Sequence, residues 1–390
     1  MSRMRRASWL VGAALLVVGL GYLVDHIVVE AGIARLQDLT VYLQAGRDVR
    51  AGANPYADRP GFLPFTYPPI WAIAVIPLTA LPLSVVEALY LVASLTVAVV
   101  VLRRLARESP WPWLWFVVAL FSAPISRTIY QGQVNLFTMA LVLADYRWAA
   151  SRFAGVGTGL ATAVKLTPGI MVLPMLVRRD WLSVARAAVA FLVVTLVAHL
   201  VAGPASTHFW TELVVDPSRV GGVAFADNQS LLGTLARFTD LPTATLVARV
   251  LVAPVLVLTV VATVRQHRKG STLGEIAAAG LGGLLISPIA WTHHWVWMLV
   301  ASAVLARQGR PRLAFLVLLP LVVDPIWLND AVQSHVPYPL APILLSLPTL
   351  SGLATLVLLT VGRRHLDHRQ SGVRESDDSE SGRTGLAQRC

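Results

Sequence analysis

Long apolar stretches that recur at short intervals, separated by small clusters of arginine, constrain this chain more than any other feature. A helix that crosses the hydrocarbon core takes about 20 mostly apolar residues, and in lipid every backbone polar group must find its partner inside a helix or a closed barrel. The 390 residues are 56% hydrophobic and 14% charged, against roughly 25% charged in a soluble domain. Once the apolar stretches are subtracted, no soluble domain remains. The pattern predicts an all-α integral membrane protein with about 11–13 transmembrane helices, near 9–29, 84–102, 111–129, 133–146, 153–165, 167–178, 182–203, 243–264, 273–288, 291–306, 312–327 and 341–362.

The run 9–29 follows Arg3, Arg5 and Arg6 in the manner of a secretory signal, but Asp25 and His26 make no small-residue cleavage site. It reads as a retained first span. The segment 68–82, bounded by Pro68-Pro69 and Pro82, either spans or dips in and returns. Treating it as re-entrant, and breaking 153–178 at Thr167-Pro168, puts every arginine cluster on one side: 103–107, 147–152, 178–179, 265–269, 307–312 and 363–369. That side is cytoplasmic by the positive-inside rule. The polar motifs then fall on the opposite, periplasmic or extracellular face of the plasma membrane. Residues 1–362 form one polytopic domain with a first outer loop at 30–67. Residues 363–390 are too polar to bury a core and read as a disordered cytoplasmic tail.

The net charge of +11 is spent on these clusters, so nucleic acid is not an expected partner; membrane lipids are. The single cysteine, Cys390, allows no intramolecular disulfide and no thiolate metal site. No HExxH, paired Asp-x-Asp, P-loop, GxSxG or GxGxxG string is present, which argues against a protein-held metal, ATP-driven transport and serine hydrolysis.

Among the polar motifs, Arg35 to Gly46 places Leu36, Leu39 and Leu43 on one helix face, as in a short interfacial helix. It carries Asp38. A carboxylate held beside hydrocarbon is costly and often functional, and desolvation raises its proton affinity toward that of a general base; the alternative is a solvated loop residue. Asn54-Pro55-Tyr56 and Tyr67-Pro68-Pro69 fix turns, with the tyrosines suited to an interfacial belt or a sugar platform. Arg127 to Asn135 packs Gln131, Gln133 and Asn135 into one turn, where amides either pair with sugar hydroxyls or simply connect two spans. Lys165, inside an apolar run and before Thr-Pro, needs a wet cavity, an acid or a lipid phosphate. Asp227-Asn228-Gln229-Ser230 reads as a helix cap, with phosphate binding as the other use of a helix start. Ser287 to Trp295 carries adjacent His293 and His294, suited to binding phosphate, orienting a base or moving a proton. Side by side on a helix, they point apart and make no metal clamp.

Asp38 with Tyr42, Gly52 with Asn54-Pro55-Tyr56, Tyr67-Pro68-Pro69, Gly132-Gln133-Val134-Asn135, Lys165 with Pro168, Asn228-Gln229-Ser230 and Ser287-Pro288 through His294 together resemble glycosyltransferase family 87. These are the polyprenol-phosphate-mannose-dependent mannosyltransferases of actinobacteria, with related arabinofuranosyltransferases. The resemblance implies a GT-C membrane fold and an inverting hexosyl transfer from a lipid-phosphate sugar to a glycolipid or lipoglycan acceptor. The lipid-phosphate sugar is a co-substrate, and no cofactor is expected. It further implies Asp38 as the base, with His293 or His294, Lys165 and the weaker candidate Arg127 facing the phosphate. Tyr42, Asn54, Tyr56, Tyr67, Gln133, Asn135, Asn228 and Gln229 are then the candidates for sugar and acceptor contacts. A lipid-linked sugar flippase or a non-catalytic scaffold would share the fold but would need no base at position 38.

Overall fold

In the computed structural model, residues 36–61, 63–147, 151–322, 329 and 332–361 are described. The expected span at 9–29 and the tail at 363–390 lie outside them. The described residues form helices without strands, joined by short loops.

Helix α1 (Gln37–Arg50) buries Leu39, Tyr42 and Leu43 together with Asp48, while Arg47 and Arg50 in its last turn are exposed. It is the amphipathic helix read from the sequence. The next segment is α2 (Pro69–Ala74) followed by a 3₁₀ turn, Ile76–Ala80. Six residues of α-helix reach about 9 Å, far short of the ~30 Å core, so this segment does not cross as a continuous helix.

Then follow α3 (Leu83–Ala106), α4 (Pro112–Leu120), α5 (Ala123–Gln131) and α6 (Asn135–Arg147). The single helix expected over 111–129 is instead the pair α4 and α5, bent by 44° at Phe121-Ser122. Pro124 sits in the first turn of α5, where a proline starts a helix at no cost but cannot continue one. Helix α7 (Val156–Val164) stops at Lys165, which is extended, and the chain resumes as a 3₁₀ turn, Thr167–Met171, and α8 (Val172–Val177). The Thr-Pro break therefore falls where the sequence put it.

The remainder is α9 (Trp181–Ala202), α10 (Pro204–Thr211), α11 (Leu231–Ala236), α12 (Leu241–Arg268), α13 (Thr272–Ile286), α14 (Val296–Arg307), α15 (Pro311–Val322), α16 (Leu340–Leu345) and α17 (Leu347–Val361). Among the described residues α3, α9 and α12 are each long and apolar enough to span, and the bent pair α4–α5 qualifies if taken as one. The other apolar helices are shorter. Helices α13 and α14 are buried almost throughout, whereas α9 leaves Leu192, Leu196 and Leu200 exposed along its length. Helices α13 and α14 thus form the centre, and α9 turns an apolar face outward.

In lipid, apolar burial drives little association, and small residues that allow close packing do more. At Gly352 a Cβ would lie 2.3 Å from the Trp295 ring, so α17 reaches the core only because that side chain is missing.

The helix ends sort into two sets. At one, Arg178 at the end of α8 pairs with Glu275 at 2.7 Å, His267 of α12 reaches the same carboxylate, Gln308 after α14 bonds Gln266, and Arg307 meets Glu108. The arginine clusters after α3, α8, α12 and α14 therefore converge. At the other end of α8, α13 and α14 lie Lys165, Ser287 and His294, one helix length away, about 22 Å for the 15 residues of α13.

Candidate active site

At the end opposite the arginines a cavity of about 1000 Å³ opens, lined by residues of α1, α5, the 63–68 loop, the Lys165 break, the 213–227 loop and the 287–294 segment. Its polar floor is built from long-range contacts. Leu36, in a left-handed conformation, donates its N–H to the Tyr130 carbonyl at 3.1 Å and sets the start of α1 against α5. Gly132 makes this possible: its φ is +80°, and a Cβ there would lie 2.7 Å from that of Leu39.

Asp38, in the first turn of α1, is thereby held beside the turn that follows α5. Gln133 Nε2 donates to Asp38 Oδ2 at 2.5 Å, while Gln133 Oε1 accepts from Tyr42 at 3.1 Å and Tyr67 at 2.5 Å. Tyr90 donates to the Gln133 carbonyl. The amide's orientation is fixed by this set, because both tyrosines can only donate to its oxygen if its nitrogen faces the carboxylate. Burial pushes the Asp38 carboxyl up to about 6, against the Gln133 hydrogen bond and the nearby Lys165 charge, which pull it down.

Lys165 is 8% exposed and spends its three donors on Tyr67 Oη at 3.1 Å, Asn135 Oδ1 at 2.8 Å and His294 Nε2 at 2.9 Å. When Lys165 is cationic it can only donate, and His294 then accepts at Nε2 with its proton at Nδ1. Its ammonium also lies 5.1 Å from the Tyr67 ring centroid. Asp38, Gln133, Tyr67, Lys165 and His294 thus form one continuous chain of polar contacts along the cavity.

The His293-His294 turn is splinted from both sides. Thr128 and Asn135 donate to the His293 carbonyl. From the opposite side Asp227 Oδ1 accepts from Thr292 N–H, Gln229 N–H donates to Ala290, the Asn228 amide bonds Ala290 N–H and the Pro288 carbonyl, and Ser230 Oγ donates to Pro288. The helix expected from 291 consequently starts only at Val296. His293 is 3% exposed, and neither ring nitrogen has a hydrogen-bond partner.

Of the residues singled out from sequence, Asp38, Tyr42, Tyr67, Arg127, Gln133, Lys165, His293 and His294 line this cavity, and Asn135 braces Lys165 from behind. Asn54, Tyr56, Asn228 and Gln229 are placed elsewhere. Asn54 caps Tyr56 N–H, and Tyr56 donates to the Tyr67 carbonyl and stacks on Phe209. The Asn228 amide is spent on the splint, and the Gln229 amide on Ala226, Leu345 and Thr349. The cap expected within 227–230 is Ser230, whose Oγ accepts from Gly233 N–H.

Asp227, whose sequence context offers only a helix cap or a phosphate-binding helix start, is a further residue of the cavity wall. Its Oδ2 lies 3.7 Å from Arg127 Nη2. No local pattern joins two residues one hundred positions apart. Among the described residues no group of three or more His, Cys, Asp or Glu side chains converges on a metal-sized point.

Residues 65–288 match the family model described as Glycosyltransferase family 87. The chain is 35% identical, over 315 residues covering 70% of it and 71% of the relative, to a polyprenol-phosphate-mannose-dependent alpha-(1-2)-phosphatidylinositol mannoside mannosyltransferase of Mycolicibacterium smegmatis. It is 32% identical, over 347 residues covering 83% and 79%, to a polyprenol-phosphate-mannose-dependent alpha-(1-2)-phosphatidylinositol pentamannoside mannosyltransferase of Mycobacterium tuberculosis. No solved structure matches. Asp38, Tyr42, His293 and His294 lie outside the span matched by the family model.

Proposed function

The chain belongs to glycosyltransferase family 87, and we propose that it transfers mannose from polyprenyl-phosphate-mannose to a mannosyl hydroxyl of a phosphatidylinositol mannoside or similar glycolipid. It is a membrane glycosyltransferase, and its relatives are named for that donor and for acceptors of that kind. The reaction is placed at the outer face of the plasma membrane; the separation of the cavity from the converging arginine ends supports this side.

The observation that carries the mechanism is the Gln133-held carboxylate of Asp38 at the cavity wall. Asp38 takes the proton of the acceptor hydroxyl as its oxygen attacks the anomeric carbon. The anomeric C–O bond breaks, and its electron pair leaves on the phosphate oxygen. Attack from the face opposite the leaving group inverts the anomeric centre. One carboxylate suffices because the phosphate leaves without an acid, unlike the two carboxylates of most glycosidases.

The phosphate gains a negative charge as it departs. Lys165, fixed at the break between α7 and α8 by Tyr67, Asn135 and His294, sets a positive charge against that growth without moving. His294, which lines the cavity, meets Lys165 through Nε2 and so helps hold that charge in place. The step needs no protein-held metal.

The test is to supply the solubilised full-length chain with radiolabelled polyprenyl-phosphate-mannose and a phosphatidylinositol mannoside. Labelled glycolipid is expected. Label that stays on the donor while the donor crosses the bilayer of reconstituted vesicles would make the protein a flippase, and label accepted only from polyprenyl-phosphate-arabinofuranose would change the sugar.

A further inference from the structure

The cavity has a second polar wall that the proposed chemistry leaves unused. From Asp38 it runs along α5 through Gln131 and Arg127, one turn apart, to Asp227 and Trp291. Gln131 Oε1 is buried without a hydrogen-bond partner. The Trp291 ring borders the cavity and rests against Gly221, where an added Cβ would lie 3.3 Å from it, and against the edge of Phe225 at 6.3 Å.

The charges of the two walls differ. On one side Lys165 presents a cation bound only to neutral groups. On the other the Arg127 charge is answered by the Asp227 carboxylate at 3.7 Å, with side chains 13% and 5% exposed. A phosphate approaching the second wall meets a fixed anion, so phosphate chemistry belongs to the Lys165 side. An amide, a guanidinium and a carboxylate beside an aromatic face instead suit an uncharged ring bearing hydroxyls, which both donate and accept. A base must also touch the hydroxyl it deprotonates, so the nucleophilic sugar lies next to Asp38, and this wall is the polar surface adjoining Asp38 on that side.

We propose that Gln131, Arg127, Asp227 and Trp291 form the subsite for the acceptor's sugar ring, with Asp227 accepting hydrogen bonds from its hydroxyls. The inference rests on the reading of Asp38 as base given above. It makes Asp227 a specificity-determining residue, since a buried carboxylate left without its hydroxyl rejects a ring that lacks it.

The experiment measures initial rates of the full-length chain against phosphatidylinositol mannoside and, separately, against polyprenyl-phosphate-mannose. Asp227→Asn keeps an oxygen for Thr292 N–H and so preserves the turn; Gln131→Ala removes an amide that plays no part in the splint. Each is expected to raise the acceptor KM about 10-fold or more while the donor KM stays within about two-fold, the ordinary reach of a remote change. A rise in donor KM with acceptor KM unchanged, or no change in either, overturns the proposal. If Asp227→Asn does not fold, Gln131→Ala carries the same readings. If wild type makes no product, the subsite is read by thermal stabilisation of the solubilised chain with phosphatidylinositol mannoside. Stabilisation of wild type that Asp227→Asn loses keeps the subsite while the transfer reaction falls; no stabilisation of wild type overturns both.

Discussion

Gln133 and Asp38, ninety-five positions apart, meet through a hydrogen bond from the amide Nε2 to the carboxylate Oδ2 at 2.5 Å, and this contact ties the first turn of α1 to the turn between α5 and α6. It favours the charged carboxylate, whereas burial disfavours it, and burial wins: Asp38 titrates near 6 instead of the usual 3.8. A base works only when deprotonated. Transfer is therefore expected to be half-maximal near pH 6, to approach its plateau about one unit above, and to fall tenfold per pH unit well below it.

Gln133→Leu removes the donor that holds Asp38 charged. Its sign follows directly: the carboxyl rises further, and the acid limb of the pH–rate profile moves to higher pH. The profile of the variant checks this, and an unchanged limb would mean that Gln133 does not bond Asp38 in the working enzyme.

Lys165→Met is expected to lower kcat/KM about 100- to 1000-fold, the usual cost of losing one fixed charge at a leaving group. Lys165→Arg does not restore it, because a planar fork cannot reproduce three bonds to Tyr67, Asn135 and His294. Initial rates at saturating acceptor read both variants.

Gly132→Ala asks an L-residue to hold φ +80° and pushes a methyl to 2.7 Å from the Leu39 Cβ. A loss of about 2 kcal/mol or more is expected from strain and collision together. Thermal melting of the solubilised chain measures it, with activity falling in step as α1 is pushed off α5.

How much of this was legible in sequence depends on the range of the interaction involved. Apolar runs gave most helices, including α1 with Asp38 and the break after Lys165, because periodicity and proline act locally. The bend at Phe121-Ser122 had a local sign in Pro124, but the continuous apolar run hid it. The late start of α14 at Val296 had none, since the non-helical 287–291 stretch and the 3₁₀ turn Thr292–His294 are held by Asp227, Asn228, Gln229 and Ser230 from elsewhere in the chain. The same distance explains the amides: a buried Asn or Gln that bonds backbone and one that faces a sugar look alike in sequence, and Gln133 turned to the cavity while Asn228 and Gln229 turned to the scaffold. Asp227 was read as a cap candidate for want of any signal toward Arg127.

Sidedness is open to labelling in intact cells, in a Cys390→Ser background. Cysteine placed at Ala53, exposed in the 51–67 loop, is expected to react with a membrane-impermeant maleimide, and cysteine placed at Arg268, exposed at the arginine end, only after permeabilisation. The reverse pattern would move the reaction to the cytoplasmic face.

The most direct measurement compares the initial rate of mannosyl transfer by wild type and Asp38→Asn, both solubilised, matched for melting temperature and saturated with donor and acceptor. Asparagine keeps the shape and an oxygen for Gln133 but cannot take a proton, so a drop of about 100-fold or more is expected. Equal rates from the two proteins would remove Asp38 from the chemistry and with it the mechanism proposed for this cavity.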